Sequence, residues 1–219
     1  METWEHMLSN RSTTFAWSDK EVPKEMIQSM LDDLHAHAPS KQAMMPYTIS
    51  ILDWSNPVAR NTIFENTHRN KEDHVLNDLG NSQTLAPWLL AFSPRLPVED
   101  DNIESYEGQS KSDFFLKMAN LEIGIASSFM VWSAAARGLS TGYCACLNEL
   151  PGSKDKIEQV LNPNTPADDL PMPGVSVLIG VGYKDKEAKK WLDPRTGTQK
   201  EFPDTNWKRP PPSVYVNWL

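Results

Sequence analysis

The longest helical pattern in the chain runs from Phe114 to Ala136, and its second half is apolar on nearly every side. In the first half Asp113, Lys117 and Asn120 line one side, the pattern of a helix that is half exposed. From Ile123 to Ala136 that polar stripe is gone, and Gly124, Ala126, Ser127 and Ser128 sit among larger apolar residues. A helix that is apolar all round must be covered all round. In a chain of 219 residues a partner subunit is the natural cover, and the small residues allow another helix to approach closely. Arg137-Gly138 predicts where the helix stops, because glycine accepts the left-handed conformation that ends helices.

The other elements follow from periodicity. Trp4, Met7 and Leu8 share helical spacing, and Met26, Ile27, Met30, Leu31 and Leu34 form one apolar face of a helix that opens near Pro23 and is stopped by Pro39. Asn56-Pro57 starts a polar helix reaching to about Asn70, anchored by Ile63 and Phe64. Strands are expected at Thr48–Asp53, Leu89–Ser93, Thr141–Leu147 and Val175–Val181, with a Pro-rich connection over 151–173. Residues 98–112 are acidic and polar and read as a surface excursion. The alternating tail Val214-Tyr215-Val216-Asn217-Trp218 reads as a strand with no neighbour in sequence to pair with, so it is expected to add to a sheet edge on another subunit.

The bulk chemistry closes several routes. A formal net charge of -8 and the absence of a Lys/Arg stripe argue against a nucleic-acid partner. Cys144 and Cys146 alternate in an expected strand and point to opposite sides, so they read as reduced structural thiols of a cytoplasmic protein. Glu2 and Glu5 do not suit a secretory signal, and no apolar run is expected to reach membrane-spanning length. His35 and His37 are not on one helical face, and no clustered His, Cys or carboxylate set predicts a metal site. GxSxG, P-loop and GxGxxG patterns are absent, and no nucleophile–base pair stands out.

What remains is a set of cations and turns at distant points. Arg11 brings five fixed N–H donors and permanent charge, with Ser12, Thr13 and Thr14 beside it. Lys208 and Arg209 stand near the other end, stiffened by Pro210-Pro211-Pro212. An acidic protein that keeps cations at both ends of its sequence is suited to holding a phosphate. The plain alternative is a solvated arginine and a hydroxyl helix cap. Pro39, Ser40, Lys41 and Gln42 form a loop after a helix, either a connecting turn or part of a binding wall. Thr141-Gly142 is either a tight turn or a place where backbone N–H groups approach a ring. The lack of a nucleophile suits flavin chemistry, in which the cofactor carries the reaction.

These residues resemble the nitroreductase family of FMN-dependent oxidoreductases. Arg11-Ser12 resembles its opening motif, Ala38-Pro39-Ser40 and Met45-Pro46-Tyr47 its Ala-Pro-Ser and Gln-Pro-Trp segments. Gly138-Leu139 to Gly142 after the long helix, Leu178 to Tyr183, and Lys208-Arg209 follow in the family's order across nearly the whole chain. The resemblance implies one α+β domain over residues 1–219, with a mostly antiparallel central sheet, a long buried helix, and an extension over 184–219 exchanged with the partner of a homodimer. It implies FMN at the subunit interface, reduced by NADH or NADPH and reoxidised by a small nitroaromatic, quinone or enone-like acceptor in a ping-pong cycle. Arg11, Ser12 and Arg209, with Thr13 and Lys208, would hold the phosphate; Pro39, Ser40 and Gln42 would line the ribityl chain and ring; Gly142 and Tyr143 would lie at the ring's far edge. Three positions depart from the family pattern: Thr14 where a second basic residue often stands, Ala43 where Asn often stands, and Met45 in place of Gln. A flavin carrier or sensor without turnover, and a flavin-free dimeric scaffold, are the competing expectations.

Overall fold

The computed structural model describes residues 4–67, 81–95, 111–149, 152–164, 174–194 and 196–202, together with Pro211. Lys208, Arg209, the tail strand expected at Val214–Trp218 and residues 98–110 lie outside the described residues. Lys111 and Ser112, assigned to the same excursion by sequence, instead open a helix.

Four strands form one antiparallel sheet: β1 (Tyr47–Leu52), β2 (Trp88–Pro94), β3 (Ser140–Cys144) and β4 (Val177–Gly182), in the order β1-β2-β4-β3. β2 and β4 are central and buried on both faces, which is why Leu89–Phe92 and Val177–Val181 read as unbroken apolar runs. Alternation along each strand sends its side chains to two cores. Leu90, Phe92, Val177, Ile179 and Val181 face helices α2 (Lys24–His37) and α4 (Lys111–Ala135). Leu89, Ala91 and Leu178 face α3 (Pro57–Asn66) and α5 (Ser153–Leu161) through Ile63 and Ile157. Helices therefore cover the sheet on both sides.

Local signals place the helices. Ala38 leaves α2 with φ -70 and ψ 132, the extended geometry that a following proline favours. The Asn56 side chain accepts from the Ala59 N–H at 3.0 Å, and Pro57 takes the first helical position of α3. Gly138 adopts φ 70 after α4, with the Leu139 N–H donating to the Ala134 carbonyl at 3.0 Å. Arg137 then ties α4 to α2, donating to Asp33 at 2.6 Å and to the Ser29 hydroxyl at 2.7 Å. The short helix α1 (Trp4–Asn10) lies on α4, with the Trp4 and Trp132 ring centroids 5.0 Å apart.

Several expectations need correction. Strand β3 ends at Cys144, and Cys146 opens a 3-10 turn, so the two thiols do not alternate along one strand. Part of the connection expected over 151–173 is α5, whose inward Ile157 is fully buried. After Tyr183 the chain forms a hairpin, β5 (Lys190–Asp193) with β6 (Thr198–Glu201). By length and composition alone Asp113–Ala135 could cross a membrane, contrary to the sequence expectation; here that helix packs on the sheet. Its cover is one-sided: Ile123, Ala126, Met130 and Ala134 are buried, while Leu121 is 59% exposed and Gly124 and Ser128 are exposed.

Candidate functional site

The chain leaving α1 runs along the outer edge of β3 and past the end of β4. Thr13 bridges Thr141 in parallel, and the Thr14 N–H donates to the Thr141 carbonyl at 2.9 Å. Four residues on, Trp17 bridges Lys184, the Ser18 N–H donates to the Tyr183 carbonyl at 2.8 Å, and the Asp185 N–H donates to the Ala16 carbonyl at 3.1 Å. This path brings Thr13 beside Thr141 and Thr14 beside Gly142 of β3, and it sets Ser12 beside Lys184. The hydroxyls of Ser12 and Thr13 are on exposed residues, and the Lys184 ammonium lies 3.4 Å from the Ser12 hydroxyl. Arg11 and Lys184 have no carboxylate partner among the described residues. Lys20 adds a third positive charge nearby, 3.9 Å above the Tyr183 ring.

Gly142 permits close approach, and what approaches is the chain itself. A Cβ there would lie 2.6 Å from the Thr14 carbonyl oxygen and 2.7 Å from the Gln83 Cβ. Gly180, its partner in register on β4, is overlain by the Gln83 carbonyl. Two glycines therefore seat the Ser82–Leu85 turn on the sheet. Gln83 is 7% exposed, and its side-chain Oε1 is buried with no hydrogen-bond donor. An unpaired buried amide oxygen costs about 1–3 kcal/mol, so it is a place where an N–H-bearing ligand edge would be bound. Tyr143, the next residue on β3, is 44% exposed.

The second group of predicted residues lies on another part of the molecule. Pro39 and Ser40 enter a tight loop in which Gln42, Ala43 and Met45 all have positive φ, at 55, 55 and 41°. Such backbone costs of order 1–3 kcal/mol per residue and persists only where the surroundings enforce it. The enforcement is visible. The Ser40 hydroxyl accepts from the Met45 N–H at 3.0 Å, Arg95 donates to the Met44 and Met45 carbonyls at 3.2 Å, and the Lys41 N–H donates to the Glu122 carboxylate at 2.6 Å. Glu122 is 3% exposed on α4, and its other oxygen, Oε2, has no partner among the described residues. Its charge, after burial, helps push the Tyr47 phenol up from its ordinary value. Gln42 is exposed at the tip.

Among the described residues no hydrogen bond or ion pair joins the two groups. The first is held on β3 through Thr141, and the second is tied to α4 through Glu122. Each carries a buried, unpaired oxygen acceptor, and the first also carries unpaired cations. Gln83, Glu122 and Lys184 were not singled out from the sequence. Gln83 and Glu122 look there like ordinary helix or loop polar residues, whereas Lys184 had one available signal, a cation directly after a buried strand that ends in Gly182-Tyr183.

Neither a protein-family model nor a curated protein matches this chain by sequence. Solved structures match it throughout its length. A BluB-like flavoprotein from Clostridium difficile 630 aligns over 100% of both chains with a TM-score of 0.66 at 14% identity. An FMN-dependent nitroreductase from Clostridium difficile R20291 aligns over 98% of both, with a TM-score of 0.56 at 17% identity. A nitroreductase with bound FMN from Bacteroides fragilis covers 92% of this chain and 100% of its own, with a TM-score of 0.59 at 16% identity. The chain has the nitroreductase fold. On that fold the donor set fits a flavin mononucleotide: unpaired cations and hydroxyls suit its phosphate, and the buried oxygens of Gln83 and Glu122 suit ring N–H and ribityl O–H donors.

Proposed function

We propose that this protein is a cytoplasmic, homodimeric FMN-dependent oxidoreductase that takes hydride from NADH or NADPH and delivers it to a small electron-poor acceptor by a ping-pong cycle. The observation that carries this reading is an Arg11 with no carboxylate partner among the described residues, beside exposed Ser12 and Thr13, in an acidic chain that spans the flavin-protein fold from end to end. When bound, FMN supplies the hydride chemistry, accepting and returning it at N5. The chain's own groups then have simple tasks. Arg11, Ser12 and Thr13 hold the phosphate, joined by Lys208 and Arg209 from the tail. Pro39, Ser40 and Gln42 wall the ribityl chain and ring, held rigid by Glu122 and Arg95. Backbone donors around Gly142 and Tyr143 face the ring's far edge, where negative charge collects on reduction.

No hydrogen bond or ion pair joins the two groups among the described residues of one chain, so a second copy completes each site: the amino-terminal group of one subunit meets the Pro39–Gln42 loop of its partner. The exposed Leu121, Gly124 and Ser128 of α4 offer a matching surface. A second reading, a flavin carrier or sensor, is favoured by one feature. Thr14 is fully buried with its hydroxyl toward the Ser12 carbonyl, and Ala43 and Met45 bring no polar side-chain groups to the loop.

Titration of the purified protein with FMN tests the proposal. Binding at one FMN per chain is expected, weakened about 10–100-fold in Arg11→Ala, since a hydrogen bond to a charged group is worth about 1.5–3 kcal/mol. No uptake of FMN would exclude both flavin readings. Uptake without reduction by either nicotinamide would select the carrier.

A further inference from the structure

We propose that Lys184 is a phosphate-binding residue of this site, acting with Arg11 on the phosphomonoester of the flavin; the assignment rests on the flavin reading above. Its ammonium stands 3.4 Å from the Ser12 hydroxyl, a long contact that leaves most of its three donors uncommitted. Thr14 cannot serve instead, because it is fully buried and its hydroxyl faces the Ser12 carbonyl. The neighbouring carboxylate does not neutralise Lys184: Asp185 Oδ1 accepts from the backbone N–H groups of Glu187 and Ala188, at 2.9 and 3.1 Å.

The backbone that carries Lys184 is held on both sides. Tyr183 receives the Ser18 N–H, Lys184 bridges Trp17, and Asp185 donates to Ala16. Tyr183 itself packs against the main core and lies under Lys20. The lysine therefore projects from a fixed backbone point beside Ser12, within reach of an anion held there. Lysine acts here as a point charge, complementing the planar fork of Arg11.

The test compares FMN with riboflavin, which lacks the phosphate, on wild type, Lys184→Gln and Lys184→Arg, following quenching of flavin fluorescence. Lys184→Gln is expected to weaken FMN about 10–100-fold and riboflavin by less than about 2-fold, with a shallower salt dependence for FMN. Lys184→Arg is expected to keep most of the FMN affinity. An unchanged thermal midpoint of the flavin-free Lys184→Gln protein shows that the fold is intact; if that variant unfolds, the same FMN-to-riboflavin ratio is read on Lys184→Met and Lys184→Arg. Wild type that binds FMN while the neutral variants bind it equally well, or lose riboflavin in the same proportion, overturns the assignment of Lys184 alone. Wild type that binds neither flavin overturns the flavin reading and this assignment together.

Discussion

Glu158 carries a carboxylate into the interior of the α5 side, where it is 2% exposed. Burial pushes its pKa up, against the pull of hydrogen bonds from Ser93 at 2.5 Å and Asn162 at 2.9 Å. A folded value above the unfolded one favours the protonated acid. The stability it lends is complete below the ordinary carboxylate range and is lost as pH rises through the folded value. Glu158→Gln keeps the shape without that loss, so its stability relative to wild type should rise from pH 4 to pH 7. Denaturant unfolding at both pH values checks this, and a relative stability that does not rise would contradict it. The glycine seats make a second prediction. Gly142→Ala puts a methyl 2.6 Å from the Thr14 carbonyl and should cost about 1–3 kcal/mol. Gly180→Ala, which meets the rigid Gln83 backbone, should cost more, and equal thermal midpoints for the two would contradict the packing described. At this scale sequence reading was partial. Arg11 and Ser12 stood out because charge and hydroxyls adjoin in the chain, whereas Lys184 meets Ser12 only across 172 residues of sequence and Gln83 meets Gly142 only in the folded chain.

Elements with a single strong period were legible. The α2 and α4 helices and the four sheet strands follow from apolar spacing, and Pro39 and Gly138 mark ends that the backbone confirms. The elements missed were short and polar. α5 has nine residues, and the β5–β6 hairpin exposes most of its positions, so neither leaves a clear periodic trace. Strand order was not legible, because the pairing of β4 between β2 and β3 is decided by which faces α2, α4, α3 and α5 cover. The prediction at this scale concerns α4. Its outward face, Leu121, Gly124 and Ser128, is open in one chain, and Leu121 is 59% exposed. Leu121→Glu should convert a dimer to monomer at micromolar concentration, because an unpaired charge at an apolar seam is costly. Deleting residues from Pro212 onward should weaken the dimer as well. Light scattering that shows an unchanged dimer for both variants would contradict the assembly.

For the molecule as a whole, the α+β class was legible from a few apolar strands and one apolar helix, and the nitroreductase fold agrees with it. The division of the site into two groups was not legible, because motifs 30 residues apart in sequence give no sign that they face different neighbours. On the proposed assembly, a monomeric variant should lose FMN even with Arg11 and Lys184 intact. The most direct test is anaerobic addition of NADH or NADPH to the FMN-loaded protein, followed by a quinone. The account predicts rapid bleaching of the flavin colour and its return on adding the quinone; a flavin that stays yellow with both nicotinamides would contradict it.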